Sequence, residues 1–299
     1  MEALDWYLEH EQTDSAYRLG SLLVPFWMAT GRIDEGDRWF AGALRHPGGS
    51  EAEFARALYD HGYMAFFAGR YELADERFAD ARSLAEQVSD HDLVALALAG
   101  SARVALNRDV AEAIRLLREA LDVTAAMPDS NGRSSALHVL GVALQMSDDL
   151  EGAREVMTTR LRWGREQRND SVVYIESANL SMVERKLGRL DDAEELSREA
   201  LRIANAQANQ LAIPWVINGL AAVTVAKGEH ERGAILLGIA EGLLERAGGE
   251  WPPDEREQFE SALAELSQAD PEQVDNFRAR GRGMSIADGV AYALERTTP

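Results

Sequence analysis

The chain has 299 residues, of which 46% are hydrophobic and 27% charged, so it is long enough to bury a sizeable core. Its formal net charge of −20 repels a phosphate backbone and anionic lipid, and we therefore expect no direct binding to nucleic acid or to a membrane. It has no cysteine, which excludes disulfides and thiolate metal sites.

The sequence gives no sign of a membrane span or a secretory signal. No stretch approaches the roughly 20 apolar residues that a membrane-spanning helix needs. The first residues include Glu2, Asp5 and Glu9, whereas a signal peptide begins with basic residues. We therefore expect a cytoplasmic protein.

The predicted elements begin with a capping helix over residues 3–10 and continue as six helix pairs. In chain order, the predicted pairs are 14–30 with 34–45, 51–68 with 72–88, 90–106 with 109–126, 131–146 with 149–166, 170–187 with 191–206, and 208–227 with 231–246. Four of the turns within a pair contain a glycine that can adopt the positive φ of a helix end. These glycines are Gly31, Gly69, Gly188 and Gly228.

The pairs follow from a repeated pattern in which a small residue precedes an alanine by seven places. Its copies are Gly36/Ala43, Ala74/Ala81, Ala113/Ala120, Ala193/Ala200 and Gly233/Ala240, with a degraded copy at Ala153/Arg160. The residues twelve places before each copy are Val24, Gly62, Ser101, Gly141, Ser181 and Ala221. Small residues at fixed points let two helices cross closely, so the pattern predicts a helix-turn-helix unit that stacks on copies of itself.

The period ends near residue 247, and the remaining sequence predicts a cap of helices. A helical run extends to about residue 268, and the N-cap residues Asp270 and Ser285 introduce two short helices. The prediction thus has three parts: a capping helix over 1–13, six repeats over 14–246 and a helical cap over 247–299. The predicted fold class is all-α, a right-handed α-α superhelix.

The units resemble tetratricopeptide repeats. A Leu-Gly-like pair lies twelve residues before the small residue of the second helix, as in Leu140-Gly141 with Ala153, Leu180-Ser181 with Ala193, and Leu220-Ala221 with Gly233. The period of 38 to 40 residues exceeds the usual length of about 34. The longer period is similar to the sensor arrays of large bacterial regulators of the signal-transduction ATPase type, such as the maltose-regulon activator and LuxR-type and actinobacterial antibiotic regulators.

The two ends of the chain also resemble the ends of such arrays, at 3–10 and at 277–294. The resemblance implies an attached or partner ATPase domain and DNA-binding domain. Neither a G-x-x-x-x-G-K-[S/T] motif nor a basic recognition helix occurs in this sequence. The chain is then either the sensor domain of such a regulator or a stand-alone relative of it.

The resemblance also implies a concave groove lined by the first helix of each pair. Carrying the groove positions of the family onto this sequence gives ten candidate ligand-binding residues: Arg18, Arg56, Tyr59, Tyr63, Phe66, His138, Gln145, Arg185, Trp215 and Asn218. They combine aromatic surfaces with a few polar groups, as small-molecule and peptide sites do. The alternative is that the groove is tightly packed core, and that the three arginines pair with neighbouring carboxylates.

The sequence contains no pattern of catalytic or metal-binding residues. The six histidines fall on different predicted elements without i,i+4 pairing, and no serine or threonine has a nucleophile motif. We therefore expect no enzymatic activity, no metal and no cofactor. The leading hypothesis is a regulatory sensor that binds a small-molecule effector or a partner in its groove, and the alternative is a stand-alone protein- or peptide-binding scaffold.

Overall fold

The protein, whose structure is a computed structural model, is described over residues 2–46, 48–210, 212–249, 251, 253–268 and 271–295. All regular structure within these ranges is helical and forms sixteen helices, which confirms the all-α class. The helices are α1 Glu2–Glu9, α2 Thr13–Ala29, α3 Ile33–Ala43, α4 Glu51–Phe67, α5 Tyr71–Gln87, α6 His91–Ala105, α7 Val110–Val123, α8 Asn131–Met146, α9 Leu150–Glu166, α10 Asp170–Lys186, α11 Leu190–Ala206, α12 Ala212–Ala226, α13 His230–Arg246, α14 Pro253–Ser267, α15 Pro271–Arg282 and α16 Ile286–Leu294.

The observed helix bounds lie close to the predicted ones, and the largest difference is at α12. Its predicted start at residue 208 is wrong, because Ala208 has a left-handed φ of 51° and cannot continue into a helix. Asn209 then caps α12, since its Oδ1 accepts a hydrogen bond of 3.0 Å from the backbone N of Ala212.

The turns contain a glycine with positive φ where the sequence predicts one. In the fourth pair another residue has the positive φ. Gly31, Gly69, Gly188 and Gly228 have φ values between 68° and 81°. In the fourth pair Asp148 takes the left-handed conformation instead, with φ 62°. Ser285 caps α16 as predicted, because its Oγ accepts from the backbone N of Asp288 at 3.1 Å. The other predicted cap, Asp270, lies outside the described residues.

The chain divides into two compact units, Met1–Val156 and Met157–Pro299, and the division falls within α9. In unit 1, each first helix packs against its own second helix and against the next first helix: α2 against α3 and α4, α4 against α5 and α6, and α6 against α7 and α8. Near its N-terminal end the core is aromatic, with Tyr17, Trp27, Trp39 and Phe40 all buried. The division into six repeats and a cap stays a prediction.

In unit 2 the first helices pack in the same way, but the last two helices pack differently. Helix α12 packs against α10, α11 and α13, and α14 packs against α12 as a further first helix would. Helix α15 lies against α13, and α16 lies against α11, α12 and α13. Arg232 Nη2 donates hydrogen bonds to the carbonyl oxygens of Tyr292 and Glu295 at 3.0 and 2.6 Å, which satisfies backbone acceptors at the end of α16.

Candidate ligand-binding site

Four helices of unit 2, α10, α11, α12 and α14, enclose a cavity of about 200 Å³. One wall is apolar and comes from Ile175, Ala178 and Met182 on α10 together with Val216 on α12. The rest of the lining comes from four helices: Tyr174 and Asn179 on α10, Ser197 on α11, Trp215 and Gly219 on α12, and Glu255 and Gln258 on α14. An apolar cavity with a few convergent polar groups is the usual form of a small-molecule site.

The polar end of the cavity is organised by Glu255. Asn218 Nδ2 donates to the backbone O and to Oε2 of Glu255, both at 2.9 Å. Gln258 Nε2 also donates to Glu255 Oε2, at 3.2 Å. The carboxylate can accept only, so both amides must turn their NH₂ groups toward it. Their carbonyl oxygens, Asn218 Oδ1 and Gln258 Oε1, therefore point elsewhere.

Two buried polar atoms of the lining, and a third on the adjacent Asn218, have no hydrogen-bond partner among the described residues. They are the acceptors Asn218 Oδ1 and Gln258 Oε1 and the donor Trp215 Nε1. Asn218 has no exposed surface and Gln258 is 5% exposed. Burying such a group without a partner costs about 1–3 kcal/mol, so these atoms favour a bound molecule that supplies the missing hydrogen bonds.

Tyr174 lines the same cavity and remains neutral at physiological pH. Burial, together with the negative charge of Glu255, raises the pKa of Tyr174 to about 12. The phenol therefore contributes an aromatic surface and an O–H group without adding charge. The wall thus combines apolar, aromatic and acceptor groups, with one acidic side chain.

Of the ten predicted ligand-binding residues, three belong to unit 2, and two of these are at this cavity. Trp215 lines it, and Asn218 lies next to it through its contacts with Glu255. Arg185 lies further along α10, where its Nε is buried without a hydrogen-bond partner in the described part of the chain. Burial lowers the pKa of Arg185, and the carboxylate of Glu265 on α14 partly offsets this.

The predicted arginines of unit 1 are paired with carboxylates on α4. Arg18 Nε is 2.6 Å from Glu53 Oε1, and the Arg18 side chain is 64% exposed. Arg56 Nε is 3.1 Å from Asp60 Oδ2, and its guanidinium lies over the Tyr59 ring with 5.4 Å to the centroid. These contacts correspond to the structural pairing that the sequence analysis left open.

The predicted aromatic residues of unit 1 form a row along α4. The rings of Tyr59 and Tyr63 are stacked with centroids 6.2 Å apart, and Phe66 contacts Tyr71 of α5 at 5.6 Å. Tyr59 is buried, and burial raises its pKa. The last two predicted residues, His138 and Gln145, are half-buried on α8. A single groove that includes all ten residues stays a prediction.

Sequence reasoning missed the acidic and amide residues of α14, although the repeat contains the signal for them. The small residues Gly141, Ser181 and Ala221 of the predicted first helices lie 40 residues apart. A further 40 residues after Ala221 is Ser261. In tetratricopeptide repeats, the residues six and three places before this small residue of the first helix face the groove. Before Ser261, these residues are Glu255 and Gln258. Extending the repeat into the predicted cap would have placed both residues beside Trp215 and Asn218.

Unit 1 contains a larger cavity of about 570 Å³ on α3, α4 and α5, beside the buried His61. The His61 ring nitrogens have no hydrogen-bond partner among the described residues, and Nε2 lies 3.6 Å from Asp37 Oδ1. Burial, with the positive charges of Arg77 and Arg70 nearby, lowers the pKa of His61 from 6.5 to about 4. The folded protein therefore keeps this imidazole neutral.

His61 is expected to make the stability of the protein depend on pH. Below pH 6.5 the imidazole of His61 becomes protonated in the unfolded chain, whereas in the folded chain it becomes protonated only near pH 4. The free energy of unfolding should be highest above this window and fall within it, by up to about 1.4 kcal/mol per pH unit from this group. Urea unfolding at several pH values should show this slope, and His61→Leu should remove it. Equal slopes in both proteins would contradict the prediction.

Among the described residues, no group of three or more histidine, aspartate or glutamate side chains is placed to hold a metal ion. In the same part of the chain, no helix has both the length and the apolar character needed to cross a membrane.

The stacked helix pairs have the fold of tetratricopeptide repeats. Residues 178–206, which include α11, match the family model described as tetratricopeptide repeat. No curated protein sequence matches the chain.

Several solved structures are similar to this chain in fold. BtubC from P. vanneervenii has a TM-score of 0.59 at 16% identity over 75% of this chain and 91% of that chain. A Rap protein complexed with competence and sporulation factor has a TM-score of 0.57 at 16% identity over 98% of this chain and 97% of that chain. A signal-transduction ATPase with numerous domains and a tetratricopeptide repeat sensor, from Pyrococcus horikoshii, has a TM-score of 0.59 at 12% identity over 92% of this chain and 45% of that chain.

Proposed function

We propose that this chain is the sensor module of a bacterial transcriptional regulator and that a small-molecule effector binds in the cavity on α10, α12 and α14. The observation that carries the proposal is the coincidence, in one cavity, of an apolar wall with two lining residues, Trp215 and Gln258, that each have a buried polar atom without a partner among the described residues. The fold of the archaeal neighbour supports the regulatory part, since its name describes a tetratricopeptide repeat sensor within a signal-transduction ATPase.

The position of the cavity suggests how a bound effector could change the arrangement of the helices around it. An effector there touches α10, α12 and α14 together, and α14 also packs against α13 and α15. An effector that binds more tightly to one arrangement of these helices shifts the population toward that arrangement. Attached or partner ATPase and DNA-binding domains would respond only if they distinguish the two arrangements.

A second candidate function is the binding of a protein or peptide partner. The neighbour that is complexed with competence and sporulation factor favours it, because that chain and this one match over nearly their whole lengths. Exposed apolar side chains on α2 and α4, Leu22, Phe26 and Phe67, also favour it. Such side chains are common at partner-binding surfaces.

A substitution that fills the cavity should distinguish effector binding in the cavity from binding of a protein or peptide partner. A Cβ added at Gly219 would meet only Gln258 Nε2, at 3.8 Å, so Gly219→Leu should fold normally and place its side chain in the cavity. Metabolites that raise the melting temperature of the natural chain should lose this effect in Gly219→Leu. Gly42→Leu on α3 is the matched control, because a Cβ there meets no atom within 4 Å.

Compounds that stabilise Gly219→Leu and the natural chain equally would show that the cavity is not the effector site. The partner-binding candidate would then be the better one. Loss of stabilisation in both leucine variants would point to a general effect of the substitution on the helices and would also count against the proposal.

A further inference from the structure

The groups around the cavity indicate which chemical class of effector it accepts. Gln258 lines the cavity, and its Oε1 is buried without a hydrogen-bond partner in the described residues; the same holds for Oδ1 of the neighbouring Asn218, which does not line the cavity. The acidic side chain of Glu255 lines the same end of the cavity. A molecule with several N–H or O–H donors at one end would satisfy the acceptors of Gln258 and Glu255.

The charge of the lining favours a cation over a neutral donor or an anion. Among the described residues that line the cavity, Glu255 is charged and none is lysine or arginine. The formal charge of the whole chain, −20, adds a field that attracts cations. An anionic ligand would have to approach Glu255 in a partly dehydrated site, where like charges repel strongly.

The aromatic residues of the cavity suit the same class of ligand. Trp215 and Tyr174 belong to the lining, and the faces of their rings attract cations. The remaining wall, with Ile175, Met182 and Val216, suits an apolar body. A volume of about 200 Å³ limits that body to roughly the size of one aromatic ring with a short chain.

We propose that the effector of this cavity is a small primary ammonium compound with an apolar body, and that its ammonium group is bound by Glu255 and Gln258. This inference rests on the proposed function of the cavity. The ammonium has three donors, and the carboxylate of Glu255 and the amide oxygen of Gln258 are acceptors for them at the cavity wall. Glu255 then has two roles, because it supplies the negative charge and also turns both amide oxygens away from itself.

Three matched series of probes test the inference with the full chain. Each series contains an ammonium compound, the corresponding alcohol and the corresponding carboxylate: butylammonium with butanol and butyrate, 2-phenylethylammonium with 2-phenylethanol and phenylacetate, and 3-methylbutylammonium with 3-methylbutanol and 3-methylbutyrate. Binding is measured by calorimetry and by tryptophan fluorescence, with Trp215→Phe identifying the signal that comes from Trp215. We expect the ammonium member to bind about 10-fold to 100-fold more tightly than its alcohol, and the carboxylate to bind more weakly still.

Glu255→Gln should lower the affinity for the ammonium compounds about 10-fold or more and leave the affinity for the alcohols almost unchanged. Gln258→Met is a second variant, which removes one acceptor without changing the charge. The matched control is Glu260→Gln, an exposed carboxylate on the same helix, which should bind all probes as the natural chain does. Circular dichroism and thermal unfolding check that each variant is folded.

Several results would overturn the inference and leave the proposed function intact. Equal binding of ammonium and alcohol would show that the positive charge is not recognised, and a preference for carboxylates would reverse the assignment. Failure of every probe to bind, while other metabolites bind in a manner that Gly219→Leu abolishes, would show that the effector is not an amine. Failure of the probes and of the metabolites together would contradict the proposed function itself.

Discussion

Replacing Glu176 by alanine is expected to lower the free energy of unfolding by about 3–5 kcal/mol. Glu176 on α10 has no exposed surface, and its Oε1 lies 2.5 Å from Nη1 of Arg160 on α9. Removing the carboxylate leaves the guanidinium of Arg160, whose side chain is 10% exposed, without its buried counter-charge. Chemical unfolding followed by circular dichroism measures the loss. Glu53→Ala, which removes the partner of the exposed Arg18, should cost much less, because solvent screens that pair.

The repeat supplies a sharper control for this ion pair. Arg160 occupies the position at which the other repeats carry Ala43, Ala81, Ala120, Ala200 and Ala240, each no more than 1% exposed. The double variant Arg160→Ala/Glu176→Ala restores that alanine and removes both charges together. It should be more stable than Glu176→Ala, because it removes the guanidinium that the single variant leaves buried without the Glu176 carboxylate. If the double variant lowers the free energy of unfolding by the sum of the decreases in the two single variants, the two residues are not coupled.

The sequence allowed the helix pairs to be predicted because the packing of each pair requires small residues at fixed points. Ala74, Ala81, Ala113 and Ala120 have no exposed surface, as that requirement implies. The start of α12 was predicted wrongly because the left-handed conformation of Ala208 has no sequence signal: most residues that adopt it are glycine or asparagine.

The candidate site was only partly predictable, for a different reason. Trp215 and Asn218 follow from the repeat, because a position on a first helix determines which way its side chain faces. The partners of these side chains depend on which residues of other helices come near them. Asn218 contacts Glu255, 37 residues away, and that contact decides which end of its amide remains without a partner. Similarly, the i,i+4 spacing of Arg56 and Asp60 on a predicted helix permits an ion pair, but the spacing alone does not decide between that pair and a ligand.

The packing of α15 against α13 depends on glycines that the repeat does not predict. A Cβ at Gly238 would come within 3.0 Å of the carbonyl oxygen of Arg278, and one at Gly281 would come equally close to the carbonyl oxygen of Ile235. Both obstacles are backbone atoms of the opposite helix, so a rotamer change cannot relieve the overlap. The two helices would have to separate, and their side-chain contacts would be lost along the crossing.

Gly238→Ala is therefore expected to lower the free energy of unfolding by about 2–3 kcal/mol, although alanine favours the helix more than glycine does. Gly219→Ala on α12 is the matched control, since its Cβ would meet only Gln258 Nε2 at 3.8 Å. There the helix preference should dominate and raise the stability by up to about 1 kcal/mol. Chemical unfolding of the two variants should thus give changes of opposite sign from the same substitution. A neutral or stabilising Gly238→Ala would mean that α15 does not lie this close to α13.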